Sequence, residues 1–172
     1  NYHTKMPETS SPDGLHTEAE IRAEVASNTP DATWTLSPVL PDLPVDLRPL
    51  QQDRELIDPE PCFPPKLDYW VRPNQHIAPA NTLPFIACLS DIFLLASTLL
   101  PHGLTWNTTP IEGSTLVQDL WIHMVPKLDQ WLLWSTECHW TGQTRGLARG
   151  TLWTESGELV ATAMQEGLIR LS

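Results

Sequence analysis

The sequence predicts an α+β fold, an antiparallel sheet wrapped around one long central helix, and three observations carry that reading. Residues 82–100 form an apolar stretch long enough for about five helical turns. The chain after it reads as four successive strands with no helix between them, and two shorter strand candidates precede it.

The elements follow in order. Residues 1–66 hold 11 of the 17 prolines, so most of this segment is excluded from regular structure. Two islands stand out. Thr17-Glu18-Ala19-Glu20 is a capping box followed by Ile21 and Val25, which predicts a short surface helix over 17–27. Val45 and Leu47 alternate with Asp46 and Arg48, a short strand leading towards the core. Leu67–Arg72 reads as the second strand, ended by Pro73. The chain thus divides into an acidic, proline-rich linker over 1–42 and a sheet domain over 43–172, in keeping with one domain of about 100–150 residues plus an extension. It begins at Asn1 without an initiator methionine, which reads as a fragment or a processed product.

The central helix has Asn81 or Thr82 to cap it, Pro84 in its first turn, and Pro101 with Gly103 to stop it. Phe85, Leu89, Ile92, Phe93 and Ala96 share one apolar face, and Ile86, Leu94 and Leu95 carry apolar surface further round, so burial on most sides is expected. Asp91 is the one charged residue from Ile77 to Leu100. A carboxylate in such a helix finds hydrogen-bond donors or titrates abnormally, and either outcome is useful to an enzyme. The plainer alternative is a surface Asp facing a small wet gap.

The four later strands are expected over 115–124, 130–140, 144–154 and 158–171, joined by short connections as an antiparallel meander. Glu155-Ser156-Gly157-Glu158 is the clearest hairpin turn, with Gly157 free to take positive φ. On the first of these strands Leu116, Leu120, Ile122 and Met124 alternate with Thr115, Val117, Asp119, Trp121 and His123. On the last, Gln165 falls on the row of Leu159, Ala161, Ala163 and Ile169, where a buried amide needs partners at both ends. Trp121, Trp131, Trp134 and Trp140 lie on two of the predicted strands; such a sheet holds a flat ligand or, more commonly, forms a core or a subunit interface.

Composition excludes several functions. Net charge is −11, which argues against binding nucleic acid or an anionic membrane. Residues 1–60 carry 12 acidic and 4 basic side chains, a net −8, so the remaining residues are only −3 and leave room for a polyanionic ligand. Cys62, Cys88 and Cys138 are odd in number and widely spaced, with Cys88 expected to pack as a small hydrophobe, a usage that suits a reducing compartment. No signal peptide is evident, and Asp91 interrupts the longest apolar run, so no membrane span is expected. Asn107-Thr108-Thr109 matches a glycosylation sequon, a pattern that chance also produces. The six histidines lack metal-ligand spacing, and there is neither a nucleophile elbow nor a phosphate-cradling glycine loop, so no metal and no cofactor are expected. His123 and His139 could act as bases but are more often structural, and Arg145 with Arg149 could meet phosphates or a partner's carboxylates.

Several of these segments resemble the acyl-CoA thioesterase II (TesB-like) family. GELVATAMQEGLIRL is similar to that family's VAS-x-x-QEG-x-x-R terminal strand, LSDIFLL to its ASD-x-x-x-L helix segment, and STLVQDLWIHM to its [ST]-L-D-H-x-x-WFH strand. QTRGLARGTLWTESGELVA is similar to its ARG-x-x-RG hairpin, and HTKMPETSSPDGL to the linker between its two halves. The resemblance implies a hotdog fold, and it covers the linker and second half of the family's usual length. It implies a water-activating triad whose positions fall on Asp91, Thr115 and Gln165, an acyl-CoA substrate hydrolysed to free acid and CoA, and a second hotdog domain, from an N-terminal half or another copy, as partner in an oligomer. Asp91 would be the base, and Thr115 and Gln165 would fix the water. The family's Asp-His pair is here Val117-Gln118, and Met124 follows His123 where Arg is frequent. The alternative is therefore a catalytically silent hotdog half that dimerises or holds an acyl ligand. A dehydratase, the third option, has no counterpart here for its His-based site. An intracellular location, cytoplasmic or peroxisomal, is expected.

Overall fold

A computed structural model describes residues 3–28, 44–51, 64–106 and 111–171. In chain order these form helix α1 (Glu18–Asn28), strands β1 (Val45–Pro49) and β2 (Lys66–Pro73), helix α2 (Thr82–Asp91), and strands β3 (Ile111–Ile122), β4 (Leu132–Gly142), β5 (Arg145–Thr154) and β6 (Leu159–Leu171). All neighbouring strands run antiparallel in one six-stranded sheet of order β1-β2-β4-β5-β6-β3, curled around the helical segment Pro79–His102. That is the arrangement the motifs imply.

Three local expectations change. The meander is limited to β4-β5-β6, because β3 pairs with β6 at the far edge and not with β4. Residues 123–131 are too long for a hairpin turn and carry the chain back across the sheet to β4, beside β2. The start of α2 gets no side-chain cap from Asn81; a 3₁₀ turn, Pro79–Asn81, leads into it, with Asn81 N–H donating to Ala78 O at 2.8 Å. The helical path is also not one α-helix. After Asp91, Ile92 turns extended (ψ 130°) and Phe93 takes φ 60°, and the path resumes as 3₁₀ turns over Leu95–Thr98 and Leu100–His102. Left-handed φ costs an aromatic residue about 1–2 kcal/mol. Contacts from the sheet offset that cost: Trp134 Nε1–H donates to the freed Ile92 carbonyl at 3.1 Å, and Phe93 stacks on Tyr69 with ring centroids 4.6 Å apart. Gly103, at φ 64°, then stops the path as its sequence suggests.

The two parts of this segment are buried differently. Leu94 to Leu100 are buried throughout, whereas in α2 only Thr82, Ile86, Leu89 and Ser90 are, and Leu83, Ala87, Cys88 and Asp91 face solvent. Cys88 is thus a free, exposed thiol and not a core filler; Cys138 is free and half-buried, and burial pushes its thiol up. Cys62 and the Asn107 sequon lie outside the described residues. By length and composition Pro79–His102 is apolar enough to cross a membrane, but half of it is buried inside the fold with the sheet wrapped round it, the position of a core helix.

Glycines make room for the Trp134 ring within the sheet and for the helical path against it. A Cβ on Gly150 would stand 2.1 Å from the Trp134 ring, one on Gly146 2.6 Å from Thr98, and one on Gly167 2.2 Å from Leu95. Trp134 belongs to the helix-side core with Tyr69, Leu132, Leu152 and Ala163. On the opposite face Trp70, Trp131, Leu133 and Trp153 form a second cluster under Met6, Leu15 and Leu50. The expected aromatic strands therefore split: Trp131 and Trp134 are core, while Trp121 and Trp140 are about half exposed. The predicted hairpin turn is present, with Gly157 at φ 88° and Thr154 N–H donating to Glu158 O at 2.9 Å.

Candidate functional site

Three chain-distant elements deliver their polar side chains to one point. Asp91 is the last residue of α2, Gln165 lies in the middle of β6, and Thr115 lies near the start of edge strand β3. Gln165 Nε2 donates to Asp91 Oδ1 and to Thr115 Oγ1, the latter at 2.9 Å, and Thr115 Oγ1 donates to Asp91 Oδ1 at 3.2 Å. The result is a closed triangle of a carboxylate, a hydroxyl and an amide.

Thr115 reaches this point through a bulge that strict alternation does not foresee. Thr115 pairs with Gly167 and Val117 with Glu166, which leaves Leu116 as the extra residue. Beyond the bulge Gln118 pairs with Gln165 and Leu120 with Ala163, so Thr115 shares the helix-side face with Gln118, Leu120 and Ile122. This corrects the face assignment made from sequence, which set Thr115 apart from Leu120. Gly167, opposite Thr115, has no side chain to block Leu95, and the helical path packs down beside the site.

The triangle has a buried base and an open top. Gln165 is 1% exposed, whereas Asp91 and Thr115 are exposed. The fold supplies Asp91 with hydrogen-bond donors, and its carboxylate stands at the exposed end of α2 beside edge strand β3. Gln165 Oε1 is buried and has no hydrogen-bond partner among the described residues. One pair here was not evident from sequence: Gln118 Nε2 donates to Ser90 Oγ at 2.7 Å, and Ser90 Oγ donates to Ala87 O at 2.8 Å. Gln118 lies on this face by plain alternation with Leu120 and Ile122, and the bulge brings Thr115 round to join it.

The other candidates lie elsewhere. His123 Nε2 contacts Thr162 Oγ1 at 3.1 Å, and His139 Nε2 contacts Glu137 Oε1 at 3.1 Å. Arg145 meets Glu166 at 3.0 Å and Arg149 meets Glu137 at 3.8 Å, so both arginines are paired within the chain.

A helix end and two strands of a curled antiparallel sheet, converging on Asp, Thr and Gln, define a hotdog-fold domain. The family model described as "Acyl-CoA thioesterase C-terminal domain" matches residues 22–169, and the chain belongs to that family. It is similar to human acyl-coenzyme A thioesterase 8, 30% identical over 138 residues that make up 76% of this chain and 40% of the relative. Similarity to acyl-CoA thioesterase 2 of Haemophilus influenzae is 33% over 87 residues, 51% of this chain and 30% of that protein. The fold matches the crystal structure of an acyl-CoA thioesterase II, TesB2, from Mycobacterium marinum with a TM-score of 0.70 at 24% identity, over 100% of this chain and 58% of that one. The chain therefore spans less than half the length of the curated relatives it matches.

Proposed function

We propose that this chain is the C-terminal hotdog domain of an acyl-CoA thioesterase and hydrolyses acyl-CoA to a free acid and CoA. The observation that carries the reading is the Asp91–Thr115–Gln165 triangle on a solvent-open edge. Hydrolysis needs a water held against the thioester carbonyl and a base to take its proton. Asp91 is the base; Thr115 and Gln165 orient the water, for which the unpaired Gln165 carbonyl is a further acceptor. The water oxygen bonds to the carbonyl carbon as Asp91 takes its proton. The tetrahedral intermediate then collapses, the C–S bond breaks, and the proton passes from Asp91 to the departing thiolate. With residues 1–42 as linker and 43–172 as the domain, a second hotdog domain is proposed to cover β3, where Leu116, Val117 and Trp121 are 51–54% exposed.

The second reading, a silent half that pairs with an active one, is favoured by Val117-Gln118 standing where the family pattern has Asp-His. A thiol-release assay across acyl-CoA chain lengths separates the two. General-base catalysis contributes about 10²–10⁴-fold, so Asp91→Asn lowers kcat by that much with KM largely kept. An active Asp91→Asn enzyme removes Asp91 as base, and a parent inactive on every acyl-CoA favours the silent half. Asp91 is exposed, so the change leaves the melting temperature close to the parent's.

A further inference from the structure

Resting on the hydrolase reading above, we propose that Gln118 is a positioning residue for this site, acting on Asp91 through Ser90. Gln118 and Gln165 are direct cross-strand partners and present their amides side by side on the helix-facing side of β3 and β6. Each amide takes hold of one of two consecutive residues at the end of α2. Gln165 bonds Asp91, and Gln118 bonds Ser90 at 2.7 Å.

The helix end needs such a hold. Asp91 is the last α-helical residue and the backbone leaves the helix at Ile92. No further helical turn fixes the carboxylate from the C-terminal side. Ser90 is 2% exposed, and its hydroxyl already ties the last turn by donating to Ala87 O at 2.8 Å. The Gln118 donor completes that hydroxyl's bonding and links the last turn to the sheet two residues past the bulge that places Thr115. Stability alone would not demand the pair. Replacing both partners of a part-buried hydrogen bond by apolar groups is close to neutral, whereas geometry at a reacting centre is lost. A carboxylate base displaced by a fraction of an ångström still folds but transfers a proton poorly.

The test compares the full chain with Gln118→Met, Gln118→Glu, the double variant Ser90→Ala/Gln118→Leu, and Asp91→Asn as reference. Gln118→Met and the double variant lower kcat about tenfold with KM within about twofold. The double variant keeps the parent's melting temperature, which separates positioning from folding. Gln118→Glu sets a second carboxylate beside Asp91, and like charge disfavours the ionised base, so the acid limb of the kcat profile moves to higher pH. Amide hydrogen exchange at Asp91 and Ile92, which needs no turnover, speeds about tenfold in Gln118→Met. Parent-like kcat in the double variant beside a strongly impaired Asp91→Asn overturns the proposal and leaves the hydrolase reading standing, and so does unchanged exchange at the helix end. A fully active Asp91→Asn overturns the hydrolase reading, and with no base to position, this proposal falls with it.

Discussion

The two edges of the sheet are finished in opposite ways. The β1 edge is five residues long and ends at Pro49, and its polar side chains are engaged: Asp46 pairs with Arg48 at 3.1 Å and Arg72 at 3.9 Å, and Arg48 donates to Pro12 O at 2.9 Å. Both guanidiniums lie over Trp131, 4.9 and 4.4 Å from the ring centroid, and residues 6–15 cover the tryptophan cluster behind them. The β3 edge is twelve residues long, carries three apolar side chains more than half exposed, and bears Asp119 and Glu112 as its charges. A short, charged, covered edge resists pairing, and a long apolar one invites it. Catalytic and associative properties are therefore expected on one edge, and folding stability on the other.

The largest effect that tests this contrast is the loss of turnover in Asp91→Asn, because the candidate base sits beside the open edge. Association is next. Val117→Lys with Trp121→Lys puts two like charges on β3 and is expected to weaken pairing with a second hotdog domain at least about tenfold, read by sedimentation. Asp46→Lys on the other edge should leave association alone and lower the melting temperature, since it puts a third cation beside Arg48 and Arg72. If Asp46→Lys dissociates the assembly and the β3 variant does not, the roles of the edges are reversed.

Removing residues 1–15 is the matching experiment on the closed side. Trp70 loses its bond to Ser10 O at 2.8 Å, and the Trp70–Trp131–Leu133–Trp153 cluster loses Met6 and Leu15. With the Arg48 bond to Pro12 O also lost, two side chains and two hydrogen bonds make a loss of about 3–5 kcal/mol, visible as a lower urea midpoint. The kinetic constants of the open edge should not move. A change in kcat without a change in midpoint would mean that the N-terminal segment serves the site and not the core.

What was legible in the sequence follows the range of the interactions concerned. Strand existence and the 154–158 turn rest on alternation and on one glycine, and the capping box on four consecutive residues; all are local and all were readable. Strand order was not, because nothing within 111–122 says that its partner is β6 and not β4. The break at Ile92–Phe93 hides inside DIFLL, which continues a helical pattern; its causes are Trp134, 42 residues away, and Tyr69. The bulge at Leu116 hides for the same reason, an apolar residue that fits the alternation on either side. Asp91 and Gln165 stood out as polar residues on apolar stretches, whereas Thr115 came from a motif alone, and face reading would have set it wrongly. Ser90 lies in the helix motif and Gln118 at the His position of the strand motif, but neither motif says that they meet; the end of α2 and the register of β3 on β6 bring them together.

The smallest expected effect belongs to the closed side, where α1 starts beside β1. Thr17 and Glu20 make a reciprocal cap: Thr17 N–H donates to Glu20 Oε2 at 2.7 Å, Thr17 Oγ1 donates to the same oxygen at 2.9 Å, and Glu20 N–H donates to Thr17 Oγ1 at 3.2 Å. The Thr17 backbone N–H is the largest cause holding the Glu20 carboxyl below its ordinary 4.5, followed by the Thr17 hydroxyl and then by His16, 4.0 Å away. A group with a depressed folded value stabilises the fold above its unfolded value, and that stabilisation is lost as pH falls through the folded value. The contribution of Glu20 is therefore complete above about pH 4.5 and absent once the carboxyl is protonated in both states. Glu20→Gln keeps the side-chain oxygen but does not titrate. The parent should melt slightly higher than Glu20→Gln at pH 7, and the gap should close as pH is lowered below 4.5. Hydrogen bonds to Thr17 lead the causes, so added salt should trim the gap at pH 7 only by the smaller shares of His16 and Arg48. A gap of the same size at pH 7 and pH 3 would mean that Glu20 acts by packing or helix propensity, and that the ionised cap contributes nothing to this side of the sheet.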